Sequence, residues 1–256
     1  MTLHRSDAII LKRDRSGESS LLLEVFLKNQ GRSTLLAKGA RKPGSSMVGK
    51  LEPFSEVELL YYRKNDESLG VISQVEQKRT NNELSGDIRR LSYASAVVEA
   101  LHGMVYRGEE EQEAMYDLVA GTFYMLNYAL PRKLEFFFLV FLLKSLDLIG
   151  LSPQFEHCVK SGKPIEGDEI LFSVELGGVI SKTEATPENS YFKLDRGIIN
   201  SVKKARESDI DKLKGLAFSD KQSAVIKDLL FSFLSYHTEG KPGFNSLNFL
   251  SKLANY

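Results

Sequence analysis

The amino-acid sequence predicts a multi-domain α+β protein, with a β domain at the N-terminus and helices after it. Short apolar runs joined by glycine-bearing turns fill the first part of the chain, which is typical of short strands. Apolar residues then recur every three to four positions, which indicates amphipathic helices. A segment rich in proline and glycine interrupts the helices. We therefore predict four regions, at residues 1–80, 81–150, 151–194 and 195–256.

Five strands are expected in the N-terminal β domain. They are Ala8–Leu11, Ser20–Leu27, Ser33–Lys38, Phe54–Tyr62 and Leu69–Val75. A charged turn, Lys12–Glu18, is expected between the first two. Five short strands fit a small barrel or a sandwich, and an oligonucleotide-binding (OB) barrel is the common five-stranded solution. OB barrels often bind single-stranded nucleic acid.

The segment Gly31–Phe54 is the most distinctive part of the β domain, because it is basic and has no acidic residue before Glu52. Its glycines and Pro43 exclude a continuous helix. We interpret it as a strand that leads into a mobile cationic loop, with its glycines as hinges, which suits contact with a phosphate backbone. The alternative is a solvated surface loop. Its cations are Arg32, Lys38, Arg41, Lys42 and Lys50.

The helical regions are predicted from apolar spacing and from end signals. A first helix is expected over Asn82–Tyr106, and a second begins at the acidic turn Glu109–Glu111, which a helix N-terminus favours. Pro131 opens a third, Lys133–Leu148, which is apolar on nearly all faces and is therefore expected to be central. Three more follow the irregular region, at Arg196–Arg206, Asp209–Leu216 and Ser219–His237.

Charge is balanced over the whole chain but not along it. There are 34 basic and 34 acidic residues, so the formal net charge is zero. The first 50 residues hold ten basic and four acidic residues, a net charge of +6, and the remainder must carry −6. Any binding to nucleic acid must therefore arise from local segregation of charge at the N-terminal end.

The sequence predicts a cytoplasmic protein without a membrane role. Cys158 is the single cysteine, so no internal disulfide is expected. The longest apolar run, Phe136–Leu143, is too short to cross a bilayer. The first residues contain too short an apolar run for a signal peptide.

The sequence shows no enzyme motif. Phosphate-loop, dinucleotide, zinc-protease and nucleophile-elbow patterns are absent. The four histidines, His4, His102, His157 and His237, are scattered, and we predict no catalytic residue. A metal site near His157–Cys158 is not favoured, because a paired CxxC is missing. The acids there, Glu156, Glu166, Asp168 and Glu169, have no specific spacing.

Several short motifs, in their order and spacing, resemble the bacterial RecO family of recombination mediators. In the N-terminal third they are Ala8–Leu11, Gly17–Ser19, Gly31–Arg32, Lys38–Lys42 and Leu51–Phe54. The later ones are Leu148–Pro153, Cys158–Gly162, Gly177–Val179, His237, Lys241 and Ser246–Leu250. The resemblance covers essentially the whole chain.

This resemblance implies an N-terminal OB barrel and a helical bundle that contains a zinc-ribbon-like insertion. It implies binding of single- and double-stranded DNA and annealing of complementary strands. The implied partners are RecR and the C-terminal tail of single-stranded DNA-binding protein (SSB). Through them the protein would help to load the RecA recombinase onto SSB-coated strands.

The insertion departs from the family at its metal ligands. Many members carry four cysteines there, whereas this chain retains Cys158 alone. The other positions are Ser161, Ser181 and Glu184. We therefore predict no cofactor, and in particular no zinc. Apolar contacts of residues such as Leu171, Phe172 and Val179 are expected to keep the ribbon-like shape.

The predicted mechanism is phosphate binding by exposed cations. The candidate residues are Lys12, Arg13, Arg15, Arg32, Lys38, Arg41, Lys42 and Lys50. Exposed aromatic residues for base stacking are expected at Phe54, Tyr61 and Tyr62. The cluster Lys203–Arg206 is a candidate for the acidic SSB tail, although solvated helix charge is the favoured reading. The alternative function is a non-catalytic protein-interaction module with no direct role at DNA.

Overall fold

The computed structural model describes residues 2–65, 68–104, 108–186, 188, 190–238 and 243–253. The chain forms two compact units. The first comprises Met1–Ala94 and Tyr106–Tyr128, and the second comprises Ser95–Val105 and Ala129–Tyr256. The four regions expected from the sequence stay a prediction.

Five strands build the N-terminal part of the first unit, which confirms the predicted five-stranded sheet at the start of an α+β chain. They are β1 Thr2–Ser16, β2 Ser20–Leu27, β3 Gly31–Ala37, β4 Glu56–Arg63 and β5 Gly70–Arg79. Hydrogen bonds join them into a closed barrel in the order β1-β2-β3-β5-β4. β3 and β5 run parallel, and the other neighbours are antiparallel.

The first strand is far longer than predicted. It spans 15 residues, because its N-terminal half pairs with β4 and its C-terminal half pairs with β2. Lys12, Arg13 and Arg15 are therefore strand residues, and the prediction that they belong to a turn is wrong. The β1–β2 turn contains Gly17–Ser19 only. Charged residues are compatible with a strand whose exposed side chains reach solvent.

Alternating side chains of the five strands fill the barrel interior. Leu23, Leu35 and Leu59 are fully buried there, as is Tyr61. Gly70 is required at the start of β5, since a Cβ at that position would lie 2.6 Å from Leu35 Cδ2. Burial of each such leucine side chain contributes about 1.5–3 kcal/mol.

Helical residues between 82 and 94 and over 109–128 complete the first unit. The single helix expected over Asn82–Tyr106 is two helices, α1 Asn82–Gly86 and α2 Ile88–His102; Tyr106 lies outside the described residues. Asp87 breaks the helix with an extended backbone (φ −125°, ψ 125°). Its carboxylate accepts a hydrogen bond from Arg90 N at 2.9 Å and so caps α2. The next helix, α3 Glu109–Tyr128, has the predicted acidic first turn.

The second unit is built around the apolar helix α4 Leu134–Leu148. A 3₁₀ turn at Pro131–Lys133 precedes it, and its side chains are buried on most faces, as its sequence predicts. Further elements of this unit are α5 Arg196–Glu207, α6 Asp220–His237 and α7 Asn245–Leu253. The helix predicted at Asp209–Leu216 is a 3₁₀ helix, Ile210–Gly215.

The ends of α6 and α7 show why one was predicted and the other was missed. Ser219 and Gln222 form a capping box that starts α6. α7 was missed because none of its residues is buried. The residue just before it, Phe244, is held by a contact with a distant residue, since its ring stacks on Phe231 at 4.3 Å between centroids.

The irregular segment of the second unit contains a small antiparallel sheet. Its strands are β6 Glu169–Ser173, β7 Gly178–Ile180 and β8 Phe192–Asp195, in the order β7-β6-β8. Phe172 and Val179 are fully buried in it. This sheet does not by itself identify a zinc ribbon. Among the helices that the structure describes, none combines the length and apolar character needed to cross a membrane.

Candidate nucleic-acid interface

A groove of about 490 Å³ in the first unit brings together three of the predicted arginines, Arg13, Arg15 and Arg41. Arg13 and Arg15 pair across strands with Leu23 and Leu21, which are barrel-core residues. Directly paired residues share one face of a sheet, so both arginines are on the core-side face, where β1 reaches the end of the barrel. We call this depression the arginine groove. Its apolar floor and wall include Met47, Val48 and Leu51.

The loop between β3 and β4 is a chain of hydrogen-bonded turns. Successive bonds link Lys42 N to Gly39 O, Ser45 N to Lys42 O and Val48 N to Ser45 O, at 3.0–3.1 Å. Gly39, Gly44 and Gly49 all have positive φ. The glycines that the sequence suggested as hinges are thus left-handed positions within turns.

Buried residues and hydrogen bonds attach this loop to the barrel. Ala40 and Leu51 are buried in the barrel core. Arg41 N donates to Ser19 O at 2.8 Å, and the Arg41 guanidinium donates to Gly17 O at 3.5 Å. The loop and the β1–β2 turn therefore lie side by side at one end of the barrel.

Four of the eight predicted cations carry uncompensated charge. Within the residues that the structure describes, none of the four has a carboxylate within 4 Å, and all are exposed. They are Arg15, Lys38, Arg41 and Lys42. Because no neighbouring acid offsets them, they are the cations with most to gain from a phosphate.

The other four predicted cations already have an ion-pair or hydrogen-bond partner within the protein. Lys12 pairs with Asp14 at 2.9 Å, Arg13 with Glu52 at 2.6 Å, and Arg32 with Glu24 at 3.5 Å. The hydrogen bond that the Lys12 ammonium donates to Asp14 raises the pKa of Lys12. Lys50 is half-buried, and its ammonium donates to Val75 O at 3.3 Å. Sequence reasoning treated all eight alike because the partners of Arg13, Arg32 and Lys50 are distant in the chain or on another strand. The partner of Lys12, in contrast, lies two residues further along β1.

Two of the three aromatic residues predicted to be exposed are buried. Tyr61 is fully buried and donates its hydroxyl to Gln30 Oε1 at 3.1 Å. Phe54 is 4% exposed and packs edge-on against Phe123 at 5.1 Å between centroids. Tyr62, by contrast, is 42% exposed, because alternate residues of β4 face opposite sides of the sheet.

The cluster Lys203–Arg206 in the second unit is largely compensated. Arg206 binds both carboxylate oxygens of Asp147, at 2.7 and 3.0 Å, and Lys203 pairs with Glu156 at 2.8 Å. The hydrogen bond from Lys203 lowers the pKa of Glu156. These residues line a groove of about 460 Å³. Asp147, on α4, is the partner that sequence reasoning missed, since it lies far from Arg206 in the chain.

The residues at the zinc-ligand positions that the sequence resemblance implies do not form a set that suits zinc. Ser181 N donates to Cys158 Sγ at 3.4 Å, and Ser181 Oγ lies 2.9 Å from Thr183 Oγ1. Burial acts to raise the pKa of Cys158, but hydrogen bonds from Ser161, Ser181 and Lys160 outweigh it and lower the pKa to about 7. One sulfur without a second cysteine or a histidine is a poor structural zinc set. Over the described ranges, no three His, Cys, Asp or Glu residues converge as metal ligands.

Comparisons with known proteins agree with one another. The family model described as "Recombination protein O N terminal" matches residues 1–81, and "Recombination protein O C terminal" matches residues 85–245. A protein of Desulforamulus reducens named "DNA repair protein RecO" is 30% identical over 94% of this chain and 92% of its own length. One of the same name from Alkaliphilus metalliredigens is 24% identical over 98% of this chain and all of its own.

Proposed function

Because the chain belongs to the RecO family, which acts in DNA repair and recombination, we propose that its barrel binds the phosphate backbone of DNA with little reading of base sequence. The observation that carries this proposal is the set of four uncompensated cations, Arg15, Lys38, Arg41 and Lys42. Lysine and arginine that neutralise phosphates release counterions from the nucleic acid, which favours binding at low salt.

The strand arrangement of the barrel supports the proposal, because it is similar to that of an OB fold. Five strands close in the order β1-β2-β3-β5-β4, and OB folds are five-stranded barrels that bind oligonucleotides on strands 2 and 3 and on adjoining loops. The β1–β2 turn is one of those loops, and Arg41 is hydrogen-bonded to it through Gly17 O. Single- and double-stranded DNA both present the phosphates that such cations bind.

Annealing of complementary strands follows from the same charges. Cations that screen phosphate repulsion and hold two strands on one surface raise the local strand concentration, and no catalytic residue is needed. On the basis of family membership, we extend the proposal to partners: RecR, the SSB C-terminal tail and, through them, RecA loading. We assign no enzymatic activity.

Salt dependence tests the proposed DNA binding. With about four phosphate contacts, the slope of log affinity against log salt for a single strand should be near −3. Fluorescence anisotropy with labelled oligonucleotides over a salt series measures the slope, and strands of different base composition should give equal affinities. Annealing rates of complementary strands, measured with and without SSB, test the proposed annealing activity. Binding that is absent or independent of salt would favour the protein-interaction module instead.

We also propose that the second unit folds without metal. The purified chain should contain no stoichiometric zinc by atomic emission, and EDTA should not lower its melting temperature, because structural zinc needs four strong ligands. Cys158→Ser should change neither result. One zinc per chain, or a melting temperature that falls with EDTA, would contradict this proposal.

A further inference from the structure

The arginine groove contains an anion of its own. Glu52 lines it together with Arg13, Arg15 and Arg41, and the Glu52 carboxylate lies 2.6 Å from the Arg13 guanidinium. An arginine binds a carboxylate and a phosphate through the same N–H groups, so Glu52 occupies the position at Arg13 that a phosphate would take. Arg13 therefore differs from the other two arginines of the groove in its partner and not in its place.

The backbone around Glu52 is fixed to the barrel. Leu51 and Phe54 are buried, so apolar contacts hold the chain on both sides of Glu52. Phe54 N donates to Ile10 O at 2.6 Å, and Asn81 Nδ2 donates to Phe54 O at 2.8 Å. Phe54 has φ 65°, a left-handed conformation that a bulky residue rarely adopts and that these contacts maintain. The fold thus places the Glu52 carboxylate in the groove, where it stays when its partner is removed.

The ion pair between Arg13 and Glu52 is weak enough for DNA to break. The side chains are 34% and 42% exposed, respectively. Exposed ion pairs of this kind change an equilibrium by roughly fivefold at most. A strand that is held by the four uncompensated cations can therefore displace Glu52 from Arg13. The displaced carboxylate then repels the phosphate beside it, so it opposes binding before and after the exchange.

We propose that Glu52 makes an autoinhibitory contact: it mimics a phosphate at Arg13 and lowers the affinity of the arginine groove for DNA. This rests on the proposed function and adds the regulation of the same site. A surface that anneals strands must also release the duplex it has formed. A carboxylate that competes with phosphates for one arginine shortens the lifetime of the complex and so favours that release.

Glu52→Gln tests the autoinhibitory contact, because it removes the charge and keeps the size of the side chain. It should tighten binding of a labelled oligonucleotide roughly fivefold at low salt. The salt slope for a single strand should become steeper by about 0.7, which is the contribution of one further phosphate contact. The gain should appear mainly as slower dissociation, which stopped-flow competition with an unlabelled strand measures. The melting temperature should be unchanged, since an exposed ion pair adds little stability.

Two further variants identify the route of the effect. Glu58→Gln removes the same charge from an ion pair elsewhere on the barrel, Arg5–Glu58 at 3.1 Å, and neither residue lines the groove. It should change DNA affinity by less than about twofold. Glu52→Gln in an Arg13→Ala background leaves no guanidinium to release. There the substitution should tighten binding by no more than about twofold, so the two changes should not be additive.

The outcomes separate autoinhibition from DNA binding itself. Unchanged affinity and slope in Glu52→Gln would show that Glu52 does not compete with phosphates. An equal gain in Glu58→Gln would assign the effect to net charge, and an equal gain without Arg13 would assign it to general repulsion. Each of these results overturns the autoinhibitory contact and leaves salt-dependent DNA binding intact. Failure of the wild type to bind DNA would instead overturn the proposed function, and the contact with it.

Discussion

Replacement of Arg15 and Arg41 together by alanine should weaken DNA binding roughly 30-fold at low salt, on the basis of about 1 kcal/mol for each exposed ionic contact. The salt slope for a single strand should become less steep by about 1.4, since each lost phosphate contact removes about 0.7. The physical reason is that neither guanidinium has a carboxylate within 4 Å in the described part of the barrel, so both charges are available to phosphates. Anisotropy titrations across a salt series measure both quantities.

A control of equal charge separates this site from net charge. Arg5→Ala with Lys78→Ala also removes two positive charges from the barrel, but Arg5 is paired with Glu58 and Lys78 with Asp7. This control should bind DNA within about threefold of the wild type, because compensated cations offer little to a phosphate. Equal losses in the two variants would show that overall charge, rather than the arginine groove, determines affinity.

Gly178→Ala should lower the free energy of unfolding of the second unit by about 3 kcal/mol. A Cβ at Gly178 would lie 2.5 Å from Val159 Cγ1 and 2.9 Å from Gln154 O. Gln154 O accepts the hydrogen bond of Val179 N at 2.9 Å, so the added methyl group forces apart the backbone pairing that holds β7 against residue 154. The melting temperature should fall by roughly 6–12 °C, as circular dichroism can measure.

Gly215→Ala is the matched control in the same unit. A Cβ there would meet no atom within 4 Å, so its effect on the melting temperature should be small. The same control indicates whether Gly178→Ala acts through the clash or through loss of glycine flexibility. A similar shift in both variants would contradict the close approach at Gly178.

The candidate site shows where residue types suffice for prediction and where they do not. The basic segment and its neighbourhood were predicted from charge runs, because a run of cations without acids is visible in the chain itself. The division of the eight cations into four uncompensated and four engaged ones was not predicted. Glu52 and Glu24 reach Arg13 and Arg32 through loop and strand contacts that the sequence does not show. The ion pair of Arg206 was likewise not predicted, because its partner Asp147 lies on another helix.

The aromatic residues show a limit of a different kind. Tyr61 and Tyr62 are chemically identical neighbours, and strand alternation guarantees that they face opposite sides. Which one faces the core depends on the register against β5 and β1, which aligns Tyr61 with Ile72 and Tyr62 with Val71 and Leu3.

The α+β class, the existence of five strands, the apolar helix α4 and the family could all be predicted from the sequence. These depend on local periodicity, turn residues and motif order, which each segment carries without its neighbours. The length of β1, the ion-pair partner of each cation and the outward face of β4 follow from the three-dimensional structure and could not be predicted. Those features depend on which residues of distant segments meet. The extent of a strand depends on the strands that pair with it, and the compensation of a charge depends on the acid that lies beside it.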